Sequence, residues 1–369
     1  SSQLPATRIP DAATVGAAGS EELARQLGRV IGAELRSLGI VMNLAPVADV
    51  NTNPQNPVIR ERAYGSDPAE VAEIVAAVVE GMQSQGVAAV LKHFPGHGDT
   101  YDDTHHSSAT VYHDLQRLQE VELVPFEAGI AAGARGVMSG HISVPEVLGS
   151  EEPATFSSEL LTDLLREELG FDGLLVTDSL SMAALINYYP QDEIVYRALE
   201  GGNDILLRPL YARRAYQALL DGVASGRIAE ERVEESVRRI LKFKFRMGLL
   251  ELPRDMDALF RRGAVEGAAE EVLGAPAHRE VVREIEDIRS GEDPDWRGRD
   301  RWHTVVELLL RTDQKLYARV ARKMLTYMSS NGIPGAKRLM SSHLAGGQHP
   351  EEVSGQNVPQ EMGVRPDVL

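Results

Sequence analysis

Residues 157–180, SSELLTDLLREELGFDGLLVTDSL, contain one complete helix-then-strand unit, and this unit decides the fold class. Its first half repeats leucines at helical spacing, begins at Ser157, a residue type that caps helices, and is stopped by Gly170. Its second half, DGLLVTDSL (172–180), is a short apolar run that ends in polar residues, which indicates a buried strand. A helix that leads directly into a buried strand is typical of β/α units on a parallel sheet.

The same alternation runs along the chain from about Ser20 to Phe245. It predicts an α/β fold with a parallel sheet. Barrels and doubly wound sheets both gather functional groups at strand ends, so the alternation alone does not distinguish a barrel from an open sheet. Besides the unit above, the pattern predicts strands over residues 39–50, 87–94, 136–142 and 203–207, and helices over 21–38, 67–85, 114–132, 212–224 and 229–246.

Length and composition exclude several classes of protein. The 369 residues allow about two domains, and 43% hydrophobic with 25% charged residues is the balance of an ordinary globular chain. The formal net charge of −17 argues against nucleic acid and anionic membranes as partners. With no cysteine, disulfides, thiolate metal sites and a cysteine nucleophile are all excluded.

The sequence leaves the compartment open. No apolar run approaches the roughly 18 residues of a membrane helix, so no membrane span is expected. The opening SSQLPATRIP has neither the basic nor the apolar region of a signal peptide, and it lacks an initiator Met. We therefore expect the native N-terminus to be absent, which leaves cytoplasmic and secreted or cell-envelope locations both possible. The oligomeric state is not indicated.

Several predicted strands end in residues that are able to do chemistry. Asp49 lies at the end of the first strand, Lys92 and His93 at the end of the second, His141 at the end of the third and Asp178 at the end of the fourth. The carboxyl ends of strands in a parallel β/α barrel open on one face, so we expect these side chains to converge on a single pocket.

The densest group of ionisable residues lies in LKHFPGHGDTYDDTHHSSATV, residues 91–111. Metal binding is one interpretation, since imidazoles and carboxylates are zinc and iron ligands. Pro95-Gly96 argues against it, because it breaks the helix that His93 and His97 would need to share a face. The ionisable residues of this stretch are Lys92, His93, His97, Asp99, Asp102, Asp103, His105 and His106.

A second interpretation of this loop is acid/base catalysis. In Asp103-Thr104-His105 the carboxylate sits two residues before an imidazole, close enough to orient the ring and raise its pKa. A histidine held in this way can protonate a leaving group and later deprotonate water. The structural alternative is that Asp103 caps local backbone and His105 is a solvated loop residue, and an isolated Asp-x-His pair favours that alternative.

Asp178 lies at the mouth of a strongly apolar strand, where a carboxylate can attack an electrophilic carbon and form a covalent ester. It could equally cap the following turn. Lys92 and Arg62 could hold hydroxyls or an acetamido group of a ligand, or each could be half of an ion pair.

Five motifs in order resemble the catalytic barrel of glycoside hydrolase family 3, and specifically its bacterial β-N-acetylhexosaminidase branch. The resemblance covers about residues 5–250, and the order of the motifs makes it far more specific than any one of them. They are MNLAPVADVNTNPQNPVIRERAYGSDP (42–68), KHFPGHGDTYDDTH (92–105), MSGHI (138–142), PATFS (153–157) and FDGLLVTDSLSM (171–182).

The resemblance implies a retaining glycosidase with a (β/α)8 TIM-barrel-like fold that acts on N-acetylglucosamine-containing glycosides or peptidoglycan fragments, with no cofactor and no metal. Asp178 matches the nucleophile, and Asp103 with His105 matches the acid/base pair. In most retaining enzymes a second carboxylate does the proton work instead. The residues implied to bind the sugar are Arg62, Lys92, His93, Asp49, Met138 and His141.

The chain also departs from the family pattern. It has no Gln-Glu-Gly-Gly-like stretch, and five strands are predicted where a barrel needs eight. We therefore expect residues 1–252 to form the catalytic barrel without its first strands. We expect 253–369 to be a charged, partly helical extension with 341–369 disordered, and no second catalytic domain.

Two alternatives stay open at this point. A family 3 β-glucosidase is the closer one, although that branch usually takes its acid/base from a second domain. An inactive, truncated carbohydrate-binding barrel is the other, because missing strands would leave unpaired sheet edges. A metal-dependent hydrolase ranks last.

Overall fold

The computed structural model describes residues 7–101 and 109–249, which form a parallel sheet with helices between successive strands. The strands are β1 (Met42–Asn43), β2 (Ala88–Phe94), β3 (Ala109–Thr110), β4 (Gly136–Ser139), β5 (Ile142–Ser143) and β6 (Leu174–Thr177). The α-helices are α1 (Ala12–Ala17), α2 (Glu21–Ser37), α3 (Pro68–Gln83), α4 (Leu115–Arg117), α5 (Val124–Ala131), α6 (Pro145–Leu148), α7 (Ala183–Ile186), α8 (Gln191–Glu200), α9 (Ala212–Ala224) and α10 (Glu230–Arg246). Leu118–Glu122 and Glu159–Glu168 are π-helical, and Arg60–Arg62 and Ala154–Phe156 are 3-10 turns.

The main sheet has the strand order β1-β2-β4-β6, and every neighbouring pair is parallel. A parallel bridge between Val176 and Ile205 continues the order beyond β6. The short strands β3 and β5 pair separately, also in parallel. If the separate pair β3-β5 is set aside, the strands of the main sheet lie side by side in the order in which they occur along the chain. This order is that of a β/α barrel. The predicted TIM-barrel-like fold class is confirmed.

The helices begin where the sequence supplies caps. The Ser20 hydroxyl accepts a hydrogen bond from the Leu23 N–H at the start of α2. The Asp67 carboxylate accepts the Ala69 and Glu70 N–H groups at the start of α3. The Ser157 hydroxyl accepts the Leu160 N–H, as the opening motif predicts, although the helix that follows is π-helical.

The first predicted strand, 39–50, is interrupted in the structure. Its regular ladder is limited to β1, and a bridge from Val47 to Lys92 resumes the pairing with β2 further along. Pro46 lies between these two contacts and has no N–H to donate, which explains the gap. The chain still follows β2 from Val41 to Ala48, because the Val41 carbonyl accepts the Ala88 N–H and the Ala48 N–H donates to the Lys92 carbonyl.

The predicted helix 114–132 is divided into three segments. Pro125 cannot donate to the preceding turn, and just before it the Leu123 N–H bonds to the Leu118 carbonyl five residues earlier. The proline therefore accounts for the π-helical turn between α4 and α5. The sequence pattern does not predict helices α1, α6, α7 and α8.

The core lies between the sheet and its helices. The side chains of β4 and β6 are all buried, as is usual for strands covered on both faces. Helices α2 and α3 approach closely: a Cβ on Gly28 would lie 2.5 Å from the Val78 carbonyl oxygen, and one on Gly81 would lie 2.1 Å from the Arg25 carbonyl oxygen. Both positions therefore require glycine.

The amino end of β6 is tied to α10 through Asp204. Its carboxylate accepts hydrogen bonds from Arg166, Arg239, Ser236 and the Leu175 N–H, at 2.7 to 3.0 Å. The Asp204 side chain is fully buried. This cluster, which we call the Asp204 cluster, fastens the last described helix to the sheet.

The predictions for residues 253–369, including the disorder of 341–369, lie outside the described residues. None of the helices in the described ranges is long and apolar enough to cross a membrane.

Candidate active site

A cavity of about 150 Å³ opens at the carboxyl ends of the strands. Leu44 follows β1, Met138 lies on β4, Asp178 follows β6, and Leu207 follows the Ile205 bridge. Of the five strand-end residues predicted to converge on one pocket, Lys92, His93 and Asp178 line this cavity, whereas Asp49 and His141 do not. The complete lining is Leu44, Val58, Arg62, Lys92, His93, His97, Met138, Asp178 and Leu207.

An irregularity in β2 brings two adjacent residues into this lining. Successive side chains of a regular strand point to opposite faces. The pairing of β2 with β4 shifts between Leu91 and Phe94, as in a β-bulge. Lys92 and His93 lie in this irregular stretch, which allows both to line the cavity.

Asp49 lies behind the cavity wall and supports it. Its Oδ2 is 2.8 Å from His93 Nδ1, and its Oδ1 accepts the N–H groups of His93 and His97 at 3.1 and 2.7 Å. Burial opposes ionisation of this carboxyl, but the two histidines outweigh burial and hold the pKa of Asp49 below its ordinary value. Asp49 orients His93 and is not part of the lining, so its predicted sugar contact stays a prediction.

His97 lines the cavity beside His93, with the two ring centroids 5.8 Å apart. Its Nδ1 is 2.6 Å from the Thr100 hydroxyl. Burial, together with the nearby His93, lowers the pKa of His97 to about 4. The ring is therefore neutral at pH 7 and can act there as a hydrogen-bonding group rather than as a cation.

Asp178 presents a carboxylate at the cavity. Its backbone N–H donates to the Ser139 carbonyl at 2.9 Å, and its Oδ1 accepts the Ser179 N–H at 2.7 Å. Burial would raise the pKa of Asp178, but His93 and His141, the Ser179 hydrogen bond and a nearby lysine together hold this pKa below its ordinary value. The carboxylate is thus ionised at neutral pH, the form able to attack an electrophilic carbon.

Two basic side chains, Lys92 and Arg62, line the same cavity as this carboxylate. Burial and the neighbouring Arg62 lower the pKa of Lys92, while Asp178 and Asp49 oppose that effect. Arg62 donates to the Val58 carbonyl at 3.3 Å, and its Nη2 is 3.5 Å from His93 Nε2. The arrangement can bind a polar, oxygen-rich ligand close to Asp178.

His141 is buried beside the cavity but is not part of its lining. Its Nδ1 is 2.8 Å from the Thr155 hydroxyl, and its Nε2 is 3.0 Å from the Ser179 carbonyl oxygen. The predicted contact of His141 with sugar stays a prediction that this geometry does not favour, because both ring nitrogens already face protein groups.

A buried amide network that the sequence analysis missed supports the His97 turn. Asn53 donates to the Thr100 carbonyl at 3.0 Å, and Asn56 donates to the His97 carbonyl at 2.7 Å. The Asn56 side-chain oxygen also accepts the N–H groups of Val58 and Ile59. The signal for these residues is present in the 42–68 motif, where three of the four asparagines, Asn51, Asn53 and Asn56, lie outside any strand or helix.

The predicted acid/base residues Asp103 and His105 lie outside the described residues. The chain on either side of them is described, and there His113 Nε2 lies 2.6 Å from Asp99 Oδ2. Beyond the loop, β3 pairs with β5, which places the returning chain beside the segment that carries His141. Within residues 7–101 and 109–249, no group of three or more His, Asp or Glu side chains is arranged to hold a metal ion.

The sequence model of one protein family, described as the glycosyl hydrolase family 3 N terminal domain, matches residues 2–243 of the 369. This chain belongs to glycosyl hydrolase family 3. The family that the five motifs resemble is therefore confirmed.

Curated relatives of this family 3 chain carry hexosaminidase names. "Beta-hexosaminidase A" of Pseudoalteromonas piscicida is 35% identical over 282 residues, covering 71% of this chain and 45% of the relative. "Beta-N-acetylglucosaminidase/beta-glucosidase" of Cellulomonas fimi is 35% identical over 292 residues, covering 76% of this chain and 50% of the relative. The chain thus spans about half the length of the curated relatives it matches.

A solved structure is similar to this family 3 chain over the same region. The family 3 β-N-acetylglucosaminidase from Paenibacillus sp. superimposes with a TM-score of 0.65 at 45% identity, covering 68% of this chain and 49% of that one. The predicted β-N-acetylhexosaminidase branch is confirmed by these similarities.

Proposed function

We propose that this chain is a retaining glycoside hydrolase that removes terminal β-linked N-acetylglucosamine. The observation that carries the proposal is Asp178, an ionised carboxylate at the end of β6 that lines the cavity together with Lys92 and His93. The name of the Paenibacillus structure, a β-N-acetylglucosaminidase, supports the choice of sugar, and the Pseudoalteromonas name supports a hexosaminide more generally.

In the proposed first step, one carboxylate oxygen of Asp178 attacks the anomeric carbon of the bound sugar. The glycosidic carbon–oxygen bond breaks, and the departing oxygen takes a proton from His105, which Asp103 orients. The product of this step is a sugar ester of Asp178 and a free alcohol. The low pKa of Asp178 supports this role, since it keeps the attacking group ionised.

In the second step, water attacks the anomeric carbon of the ester while neutral His105 accepts its proton. The bond between carbon and the Asp178 oxygen breaks, which restores the carboxylate and returns the proton to His105. Two displacements at one carbon retain its configuration. No cofactor or metal is needed to balance either step.

Sugar binding is assigned to the polar and apolar parts of the lining. Arg62, Lys92 and His93 can donate hydrogen bonds to hydroxyls or to the acetamido oxygen, and Met138 offers an apolar contact. Asp49 contributes by holding His93. Suitable substrates are N-acetylglucosaminides and peptidoglycan fragments with a terminal β-linked N-acetylglucosamine.

The test is turnover of a nitrophenyl N-acetyl-β-glucosaminide by the 369-residue chain. We expect Asp178→Ala to lower kcat/KM by about 10³-fold or more. His105→Ala should reduce turnover strongly, because the leaving group then departs without a proton. Asp192→Ala is the matched control, since Asp192 is exposed and paired with Arg214. Absence of release by the unmodified chain, or wild-type turnover by Asp178→Ala, would refute the proposal and favour an inactive sugar-binding barrel.

A β-glucosidase is the second candidate, favoured by the Cellulomonas fimi relative, whose name includes both activities. Comparing nitrophenyl glucoside with nitrophenyl N-acetylglucosaminide decides between them. We expect the N-acetylglucosaminide to have the higher kcat/KM.

A further inference from the structure

A polar network lies directly behind Asp178, and the proposed reaction does not use it. Its centre is His141, which lies between β4 and β5 and is 1% exposed. A carbonyl oxygen can only accept a hydrogen bond, so Nε2 of His141 carries a hydrogen and donates it to Ser179. With Nδ1 against Thr155, both ring nitrogens are engaged inside the protein.

Thr155 connects this ring to the sheet. Its side chain is fully buried in the Ala154–Phe156 turn, and its hydroxyl lies 2.8 Å from the Gly140 carbonyl oxygen. Its backbone carbonyl accepts a hydrogen bond from Asn203 at 2.9 Å, and Asn203 also accepts the Ser139 hydroxyl at 2.7 Å. Thr155 of the PATFS motif thus supplies the hydroxyl that holds His141.

The network fixes the backbone around the Asp178 carboxylate from two sides. The Asp178 N–H is bound to the Ser139 carbonyl, and the Ser179 carbonyl is bound to His141. Between these two contacts the Ser179 N–H donates to the Asp178 carboxylate. A rotation of the Ser179 backbone would therefore turn the carboxylate as well.

We propose that His141 and Thr155 are positioning residues that aim the Asp178 carboxylate at the anomeric carbon. This assigns His141 a role different from the sugar contact that the family resemblance implies. The inference rests on the proposed function, because it needs Asp178 to be the attacking group. A small displacement of an attacking atom slows a reaction about 10²-fold without a loss of binding.

The experiment uses dinitrophenyl N-acetyl-β-glucosaminide with the 369-residue chain. Dinitrophenolate departs without protonation, so kcat/KM reports the attack of Asp178 and not the work of the acid/base pair. Thr155→Val removes the hydroxyl and keeps the shape of the side chain. We expect it to lower kcat/KM about 10²-fold on this substrate, with the inhibition constant of free N-acetylglucosamine unchanged. Thr155→Ser, which restores the hydroxyl, should recover most of the rate.

Two variants at His141 provide a second test, which remains valid even where the Thr155→Val variant fails to fold. The amide nitrogen of Gln reaches the place of Nε2, whereas that of Asn reaches only the place of Nδ1. His141→Gln should therefore be clearly faster than His141→Asn. Equal rates in the two variants, or a Thr155→Val rate within twofold of wild type, would overturn the inference.

The remaining outcomes separate this inference from the proposed function. Weaker binding of N-acetylglucosamine with unchanged kcat in the His141 variants would make His141 a sugar contact and refute positioning. Failure of the inference alone leaves the wild type active and Asp178→Ala inactive. An inactive wild type, or an active Asp178→Ala variant, would overturn both.

Discussion

Two aspartates at opposite ends of strand β6 show how differently one side chain can be used. Asp204 lies at the amino end of β6, where two arginines, a serine and a backbone N–H bind both of its oxygens. Asp178 lies at the carboxyl end, where the described hydrogen bond to its carboxylate comes from the Ser179 N–H. Lys92 and His93 line the same cavity.

The two carboxylates differ in the number of protein groups that donate hydrogen bonds to them. The oxygens of Asp204 are satisfied within the fold, so its charge stabilises the attachment of α10. Asp178 is aimed at a cavity and keeps acceptor capacity for a ligand. At the amino end of the sheet the carboxylate is thus used for stability, and at the carboxyl end it lines a cavity, which is where β/α barrels generally carry their sites.

The largest stability effect is expected at Asp204. Burial, with Arg239 and Arg232 nearby, lowers the pKa of Arg166 to about 10, and Asp204 is the carboxylate that opposes this effect. Asp204→Ala leaves Arg166 buried without its partner and should lower the free energy of unfolding by about 3 to 5 kcal/mol. Urea unfolding followed by circular dichroism measures it.

Asp192→Ala is the control for Asp204, because it also removes an aspartate that pairs with an arginine. That pair is exposed, with 39% and 59% side-chain exposure, and should contribute less than about 1 kcal/mol. Similar losses in the two variants would contradict the structural role of the Asp204 cluster.

At the cavity end, His97 should make stability depend on pH. The unfolded chain binds a proton on His97 below its ordinary pKa of 6.5, whereas the folded chain does so only below about 4. Acid therefore favours unfolding: the contribution is complete above pH 6.5 and is lost as the pH falls to about 4. The expected loss over this window is about 3 kcal/mol.

His97→Gln tests this prediction because glutamine does not titrate. Its free energy of unfolding should fall less steeply between pH 6.5 and 4 than that of the wild type, whatever its value at pH 7. Parallel pH profiles for the two proteins would show that His97 is not the group responsible.

The smallest effect is expected at an exposed ion pair that also joins α10 to the chain near the amino end of β6. Lys242 forms a 2.9 Å ion pair with Asp172, whose side chain is 73% exposed. Lys242→Ala should change the free energy of unfolding by less than about 1 kcal/mol, and added salt should abolish the difference. A loss as large as that of Asp204→Ala would mean that burial does not explain the difference between the Lys242–Asp172 pair and the Asp204 cluster.

Much of the fold was predictable because its signals are local. Helical spacing, the cap at Ser157 and the apolar run before Asp178 each act within a few residues of the chain. Local patterns also misled where one residue changed the hydrogen bonding: Pro46 interrupts the first strand, and Pro125 produces a π-helical turn.

The site was predictable only in part. The strand-end rule correctly brought Lys92, His93 and Asp178 to one cavity. The rule did not separate His141, whose ring faces Thr155 and Ser179, from residues that line the cavity. Side-chain direction depends on partners that are distant in sequence, and no local pattern contains them.

By itself, the sequence of this chain determined a parallel β/α fold, its family and the set of ionisable residues at the strand ends, because periodicity and motif order are properties of neighbouring residues. Only the tertiary structure decided which aspartate is paired and which faces a cavity. It also decided that Thr155 and Asn203, 48 residues apart, act in one network behind Asp178. Those choices depend on contacts that exist only once the sheet has assembled.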